Sequence, residues 1–290
     1  MSSQRILITG AARGIGAESA RRLAARGHRL ALLGLEPERL EAVAAAAGGA
    51  HFAEVDVTDR DALDAAVEDA AGRLGGLDVA VANAGIAAAG MFASADSDEW
   101  ERVIAINLLG VRRTLRAALP HVVASRGYLL PVASSAAFAH PPLMSAYCAS
   151  KAAVEAMANS LRIEVAHRGV AVGVAYFSWI DTEMVTGTSE RRPFAYMRST
   201  LKPPFDRTYP VADAAAAVVR GVERRSRVVV APRWLRAALP IRGLLQRVAD
   251  RETLRHMPEV ERLWEIEIAE RGVAASQPIG DGGAAAVRAR

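Results

Sequence analysis

The feature that most restricts what this chain can fold into is a strict alternation of two kinds of segment. Seven short and almost wholly apolar runs, at 5–9, 29–33, 52–55, 78–82, 128–133, 170–176 and 227–231, are separated by stretches of helical periodicity at 14–27, 36–47, 59–74, 97–119, 145–168 and 211–225. Runs that are apolar on both faces belong to strands covered on both sides, which is the situation of a parallel sheet. Strand-helix alternation therefore predicts an α/β fold: a doubly wound parallel sheet of about seven strands flanked by helices. Right-handed crossovers place helices on both faces and open a crevice at the carboxyl ends of the strands, where the winding direction reverses.

Two regions break the rhythm. Residues 182–210 carry Pro193, Pro203 and Pro204 among Phe194, Tyr196, Phe205 and Tyr209, too long for an ordinary connection, and read as a substrate loop. Beyond Ala231 the chain turns arginine-rich and amphipathic. The expected organisation is one α/β domain over 1–235, a helical extension over 236–275, and a flexible tail over 276–290, where glycine and alanine dominate.

Composition narrows the function classes. With 51 % of 290 residues hydrophobic, the chain buries a full core. The single cysteine, Cys148, forms no internal disulfide and fits a reducing compartment. No signal-type apolar stretch precedes the run at 6–8 and no run approaches membrane-spanning length, so the expectation is a cytoplasmic protein. The six histidines show no metal-ligand spacing, and no metal is expected. A net charge of +4 does not argue for nucleic acid. Its distribution is uneven, however: between Arg220 and Met257 ten arginines face Glu223, Asp250 and Glu252. A membrane surface is a conceivable partner of this basic, amphipathic stretch, though a solvated helix or a subunit contact is the commoner use.

Two motifs carry chemistry. The first apolar run ends in Thr9-Gly10-Ala11-Ala12-Arg13-Gly14-Ile15-Gly16 and passes into a helix. Glycines at a strand-to-helix turn let an anion approach the backbone, and the helix N-terminus supplies free N–H groups and a positive dipole end. The expected ligand is the pyrophosphate of a dinucleotide. Second, Tyr147-Cys148-Ala149-Ser150-Lys151 sets a tyrosine and a lysine four apart on one helical face. A phenol with an ordinary pKa near 10 needs such a cation to act as a base near neutrality. The chain has only two lysines, Lys151 and Lys202, and one of them stands here.

The G-x-x-x-G-x-G spacing, followed in order by Asp56-Val57, Asn83-Ala84-Gly85, Asn107 and the Tyr-x-x-x-Lys pair, resembles the short-chain dehydrogenase/reductase family over roughly residues 5–235. The resemblance implies a Rossmann-like fold and an NAD(P)-dependent oxidoreductase. It implies that Tyr147 is the general acid/base and that Lys151 holds the nicotinamide ribose and lowers the tyrosine pKa. Asn107 would bind a water linking Lys151 to solvent. Of Ser134 and Ser135, both at the end of the fifth run, the family spacing selects Ser134 as the residue that polarises the substrate oxygen. Cofactor contacts would come from Gly10, Arg13, Gly14, Ile15, Gly16, Gly34, Asp56, Val57, Asn83, Ala84, Gly85, Tyr147, Lys151, Ile180 and Thr182.

Two positions depart from the family pattern. Phe177-Ser178 stands where Pro-Gly is usual, which makes the nicotinamide wall bulkier. Gly34 stands where NAD-using members carry an acid, and Arg13 is available for a 2′-phosphate, while Glu36 and Arg39 stand close enough in the sequence to pull the choice either way; between NAD and NADP the lean is slightly to NADP. Apolar residues expected near the substrate (Ala136, Phe138, Leu143, Met144, Trp179, Met184 and the loop aromatics) point to a small hydrophobic alcohol or ketone. The resemblance also implies a homodimer or homotetramer. The rival readings are a non-catalytic dinucleotide-sensing regulator on the same fold and a membrane-surface-associated reductase of lipids.

Overall fold

The computed structural model describes residues 3–289. Strand β1 (Arg5–Thr9) leads to helix α1 (Gly14–Ala24), β2 (Arg29–Gly34), α2 (Pro37–Ala46), β3 (His51–Glu54), α3 (Arg60–Leu74) and β4 (Val79–Ala82). Then follow α4 (Ser97–Ile104), α5 (Val111–Ala124), β5 (Tyr128–Pro131), α6 (Ser145–Ala166), β6 (Ala171–Val172) and β7 (Val174–Phe177). The chain ends with α7 (Glu183–Ser189), α8 (Arg192–Thr200), α9 (Val211–Arg224), β8 (Val228–Ala231), α10 (Leu235–Ala238), α11 (Arg242–Arg271) and α12 (Gly280–Arg288).

All strand pairings are parallel. The main sheet runs β3-β2-β1-β4-β5-β6, so winding proceeds outward in both directions from β1 and reverses between β1 and β4. Alternation along β1 sorts its side chains into two cores. Leu7 joins residues of α3, α5 and α6 on one face, while Ile6 and Ile8 join residues of α1, α2 and α9 on the other. Ile6, Leu7 and Ile8 are fully buried, each contributing about 1.5–3 kcal/mol by leaving water.

Local chemistry sets several boundaries. The Asp59 carboxylate accepts from the N–H groups of Asp61 and Ala62 to start α3, and Gly75 ends it in a left-handed conformation. Asp96 likewise caps α4 through the Glu99 N–H. The run 170–176, expected as one strand, divides at Gly173. There the chain exchanges partners: the Gly173 N–H pairs with Leu129 O, while the Val174 N–H pairs with Arg227 O. A Cβ at Gly173 would lie 2.1 Å from the Tyr128 hydroxyl oxygen, and that hydroxyl donates to Ser226 O at 2.7 Å. The isolated bridge between Val132 and Ala175 keeps β7 beside β5, so β8 extends the layer.

Three further expectations change. The helical stretch 97–119 is interrupted by a π-helical turn at Ala105–Gly110 between α4 and α5. The stretch 182–210 is not a bare loop, because it holds α7 and α8. The segment 276–290, expected to be a flexible tail, instead carries α12, with Ala285 and Ala286 buried. Its small side chains let the backbone pack closely: a Cβ at Gly187 of α7 would lie 2.8 Å from Ile279, and one at Gly280 would lie 3.0 Å from the Glu183 backbone.

Candidate active site

A cavity of about 580 Å³ opens at the carboxyl ends of β1 and β4, the place where the winding reverses. One wall is the glycine turn. Gly10 and Gly14 take positive φ values of 63° and 52°. A Cβ at Gly10 would lie 2.8 Å from Ala84 Cα, and one at Gly16 would lie 2.3 Å from Gly10 O, so side chains are excluded where the turn folds on itself. Asn83 fastens this turn to the neighbouring strand, its amide Nδ2 donating to Thr9 O and Gly10 O, both at 3.1 Å. In return the Thr9 hydroxyl accepts from the N–H groups of Asn83 and Ala84. Gly34, Asp56, Val57, Gly85, Ile180 and Thr182 all line the same cavity, as do Ile15, Phe177 and Ser178.

The opposite end holds Ser134, Tyr147 and Lys151, brought in by the loop after β5 and by the first turns of α6. Lys151 is 4 % exposed. Its ammonium donates to Val132 O at 2.9 Å and sits 5.6 Å from the centre of the Tyr147 ring. Burial pulls the Lys151 pKa down to about 8. Burial pushes the Tyr147 phenol up to about 12, opposed by its hydrogen bond with Ser134. The Ser134 hydroxyl also reaches Phe177 O at 3.2 Å and accepts from the Ala136 N–H at 3.1 Å. Its single proton is donated to the Phe177 carbonyl.

Asn107 lies in the π-helical turn and is fully buried. Its Oδ1 accepts from the Ile86 N–H at 2.8 Å, while Nδ2 donates to Ile86 O at 2.9 Å and to the Ser150 hydroxyl at 3.2 Å. Every side-chain amide atom is therefore occupied by protein, and the group clamps α6 to the strand β4 turn. A Cβ at Gly85 would lie 3.2 Å from Asn107 Oδ1 and 3.4 Å from Lys151 Nζ, so Gly85 is what allows the two to approach. Asp56 accepts from the Thr58 N–H at 2.7 Å, which shapes the turn after β3.

The end of the cavity lined by Gly34 and Glu36 differs most from the sequence reading. Arg13 is not free: its Nε donates to Glu36 Oε2 at 2.8 Å and its Nη2 to Glu36 Oε1. Its Nη1 contacts Glu183, and Asp281 at 3.5 Å. Arg39 joins the same cluster, 3.3 Å from both Glu183 and Asp281.

Beside Tyr147 lies a third apolar cluster, built from Ala136, Leu143, Met144, Phe194, Val260, Trp264 and Ile279. Packed against it are Tyr147, Met91, Met184, Tyr196, Met197 and Met257. Phe138 and Trp179, expected here, lie elsewhere: Phe138 packs against Tyr176 in the main core, and Trp179 lies under the Arg198 guanidinium, 4.8 Å from the ring centre. Phe205 and Tyr209 engage Trp234. Met197 on α8, Met257 and Trp264 on α11, Met91 in the connection after β4 and Ile279 just before α12 have no local sequence signal, since only tertiary packing brings these separate segments to the site. Among the described residues no cluster of three metal-ligating side chains occurs, and no helix is long and apolar enough to cross a membrane.

A parallel sheet with a glycine-lined turn at its switch point, and a buried lysine one helical turn from a tyrosine at the other end of the cleft, defines a dinucleotide-dependent oxidoreductase architecture. The family model described as short chain dehydrogenase matches residues 4–193, and the chain belongs to that family, whose members use NAD or NADP. It is 36 % identical over 245 residues to 11-beta-hydroxysteroid dehydrogenase 1A of Arabidopsis thaliana, covering 80 % of this chain and 69 % of that one. It is 30 % identical over 184 residues to meso-2,3-butanediol dehydrogenase of Serratia marcescens, covering 63 % of this chain and 73 % of that one. Among solved structures, levodione reductase superposes with a TM-score of 0.74 at 28 % identity, covering 82 % of this chain and all of that one.

Proposed function

We propose that this enzyme interconverts a hydrophobic secondary alcohol and its ketone, with Tyr147 as the proton-transferring group and NAD(H) as the preferred cofactor. The observation that carries the reading is the position of Tyr147, which faces both the dinucleotide cavity and the methionine-rich cluster.

The residues present fit a nicotinamide dinucleotide. The turn Gly10 to Gly16 has no Cβ where a pyrophosphate must approach, and the α1 N-terminus offers its free N–H groups. The nicotinamide ring supplies or accepts the hydride. Around it, Ser134 would orient and polarise the substrate oxygen, and Lys151, whose ammonium lies 5.6 Å from the Tyr147 ring centre, would hold the ribose end. Asn107 positions α6 through Ser150 and Ile86, and Ile180 and Thr182 contact the carboxamide end. In carbonyl reduction the Tyr147 O–H bond breaks and its proton moves to the substrate oxygen as the carbon takes the hydride. In alcohol oxidation both transfers run in reverse. Burial pushes the phenol up to about 12, so near neutrality Tyr147 carries the proton that carbonyl reduction needs.

NAD(H) is favoured over NADP(H), against the lean of the sequence, because Arg13 is already neutralised by Glu36. A 2′-phosphate at the end of β2 would meet the Glu36 carboxylate and displace it from its cation. The substrate class follows from the apolar cluster. Five of the seven methionines, Met91, Met144, Met184, Met197 and Met257, gather there, and flexible thioether side chains reshape around an apolar ligand at low cost.

The test is turnover of NADH and NADPH against a panel running from hydrophobic ketones to small polar sugars, with Tyr147→Phe as control. Activity on the hydrophobic members that falls 100- to 10,000-fold (about 10²–10⁴) in the variant is the expected result. Undiminished turnover by Tyr147→Phe, or activity confined to the polar sugars, would refute it.

A further inference from the structure

The dinucleotide cavity has a wall that the glycine turn and the Tyr-Lys pair do not account for. Ile279, Gly282, Gly283, Ala285 and Ala286, all from the C-terminal segment, line it together with Gly10, Gly14 and Tyr147. We propose that α12 is a hinged cover over the dinucleotide groove, latched by Asp281, so that the cofactor enters and leaves only when α12 lifts. This rests on the reading that the groove holds a nicotinamide dinucleotide.

The root of the segment is fixed. Arg191, 6 % exposed, pairs with buried Glu267 of α11 at 3.2 Å and donates to Ala275 O at 2.9 Å. The Asp96 N–H donates to the Ser276 hydroxyl, and the Ile279 N–H donates to Ala87 O at 2.8 Å. Up to Ile279, then, the chain is tied into the body by hydrogen bonds at successive points.

Beyond Ile279 the attachments change in kind. Gly280 has φ +77°, and a Cβ there would lie 3.0 Å from the Glu183 backbone, so a residue with backbone freedom stands where α12 departs from the anchored root. From there α12 lies across the groove. A Cβ at Gly282 would lie 3.3 Å from Arg13 Cδ, and Ala286 joins the core cluster that includes Val57, Ile86 and Ile106. The helix carries one acid, Asp281. That carboxylate contacts Arg13 at 3.5 Å and Arg39 at 3.3 Å, and its side chain is 66 % exposed. Glu183 meets the same two arginines from α7. Exposed ion pairs of this sort are individually weak, and the apolar contact of α12 comes from alanines, each burying little area. A firmly anchored root followed by a lightly held helix is the construction of a lid that opens without unfolding the domain. The cavity beneath is not filled by α12: about 580 Å³ remains, within the range of small-molecule and cofactor sites.

The experiment measures NADH association and dissociation by stopped-flow fluorescence, with equilibrium affinity from calorimetry. It compares the full chain, a chain ending at Ile279, and Asp281→Ala. The expected result is dissociation accelerated at least tenfold in the shortened chain, with association accelerated as well. Asp281→Ala, which alters only an exposed side chain and keeps the test alive should the shortened chain not fold, should dissociate NADH about two- to fivefold faster, the scale of one exposed ion pair. Rates unchanged in both altered chains would overturn the cover while leaving the dinucleotide reading intact. Tighter equilibrium binding in the shortened chain with an unchanged dissociation rate would also overturn it, because α12 would then compete for the cofactor's own space. No NADH or NADPH binding by any of the three chains would overturn the dinucleotide reading and the cover with it.

Discussion

Replacing Lys151 by methionine tests the electrostatics of the site apart from catalysis. Burial lowers the lysine pKa from 10.5 to about 8, which means that the folded state holds the proton less tightly than the unfolded chain does. Below pH 8 both states carry the charge, and burying it costs roughly 3 kcal/mol of stability at 1.36 kcal/mol per pKa unit. Between about 8 and 10.5 the unfolded chain binds more protons, so this cost shrinks as pH rises, and above 10.5 it is gone. Lys151→Met removes the ionisation while keeping a long apolar stem. It also leaves Val132 O without its 2.9 Å donor, a loss of about 1–3 kcal/mol that does not depend on pH. That loss enters as a constant offset, and the titration of lysine enters as a slope. Urea unfolding of both proteins at pH 7 and pH 9.5 separates the two. Relative to the variant, the native chain should gain about 2 kcal/mol on going from pH 7 to pH 9.5. All other titrating groups are common to both proteins and cancel in the difference. Stabilities that change in parallel would refute the reasoning, since the ammonium would then be as well solvated in the folded state as in the unfolded one.

Ser134→Ala removes the hydrogen bond that holds the Tyr147 pKa down together with the donor aimed at the substrate oxygen. It should lower kcat by about 10²–10³ and move the rising limb of alcohol oxidation to higher pH; a pH profile superimposable on that of the native enzyme would contradict the assignment. Glu36→Ala frees Arg13 from its bidentate partner. The ratio of kcat/KM for NADPH to that for NADH should rise about tenfold or more, the equivalent of about 1.4 kcal/mol of relieved repulsion, and an unchanged ratio would mean that neither residue meets the adenosine ribose.

What was legible in the sequence is what depends on local spacing. The alternation of apolar runs with helical periods places the strands because burial on both faces confines their polar residues, such as Arg5, Arg29 and Glu54, to the ends, and the four-residue interval of Tyr147 and Lys151 fixes their shared face wherever the helix begins. The spacing of the glycine turn is also local, since a Cβ at Gly16 would lie 2.3 Å from Gly10 O, although Gly10 itself is required by Ala84 on the turn after β4. What was not legible depends on which surfaces meet. Nothing in the run 170–176 shows that the Tyr128 hydroxyl and Ser226 O crowd Gly173 and hand the strand from β5 to β8. The pairing of Arg13 with Glu36 spans 23 residues, and its contacts with Glu183 and Asp281 span far more. Sequence spacing therefore leaves Arg13 open between a phosphate and the acids near it, and the folded chain pairs it with Glu36.

The C-terminal segment makes the same point about composition. Glycine and alanine between 280 and 286 read as a mobile tail because such residues bury little apolar area and lose much backbone freedom on folding. The same smallness permits close backbone approach when an anchored partner is present. Here the partner is α7: the Glu183 backbone leaves no room for a side chain at 280, and α7 has a glycine at 187, where a Cβ would lie 2.8 Å from Ile279. Low area per residue then has a second consequence: a helix docked by alanines and one exposed carboxylate has a small free energy of docking, whatever the quality of its fit. Composition was therefore misleading about whether this segment is ordered and informative about how lightly it is held, and the second property is the one a cover over an exchanging cofactor requires.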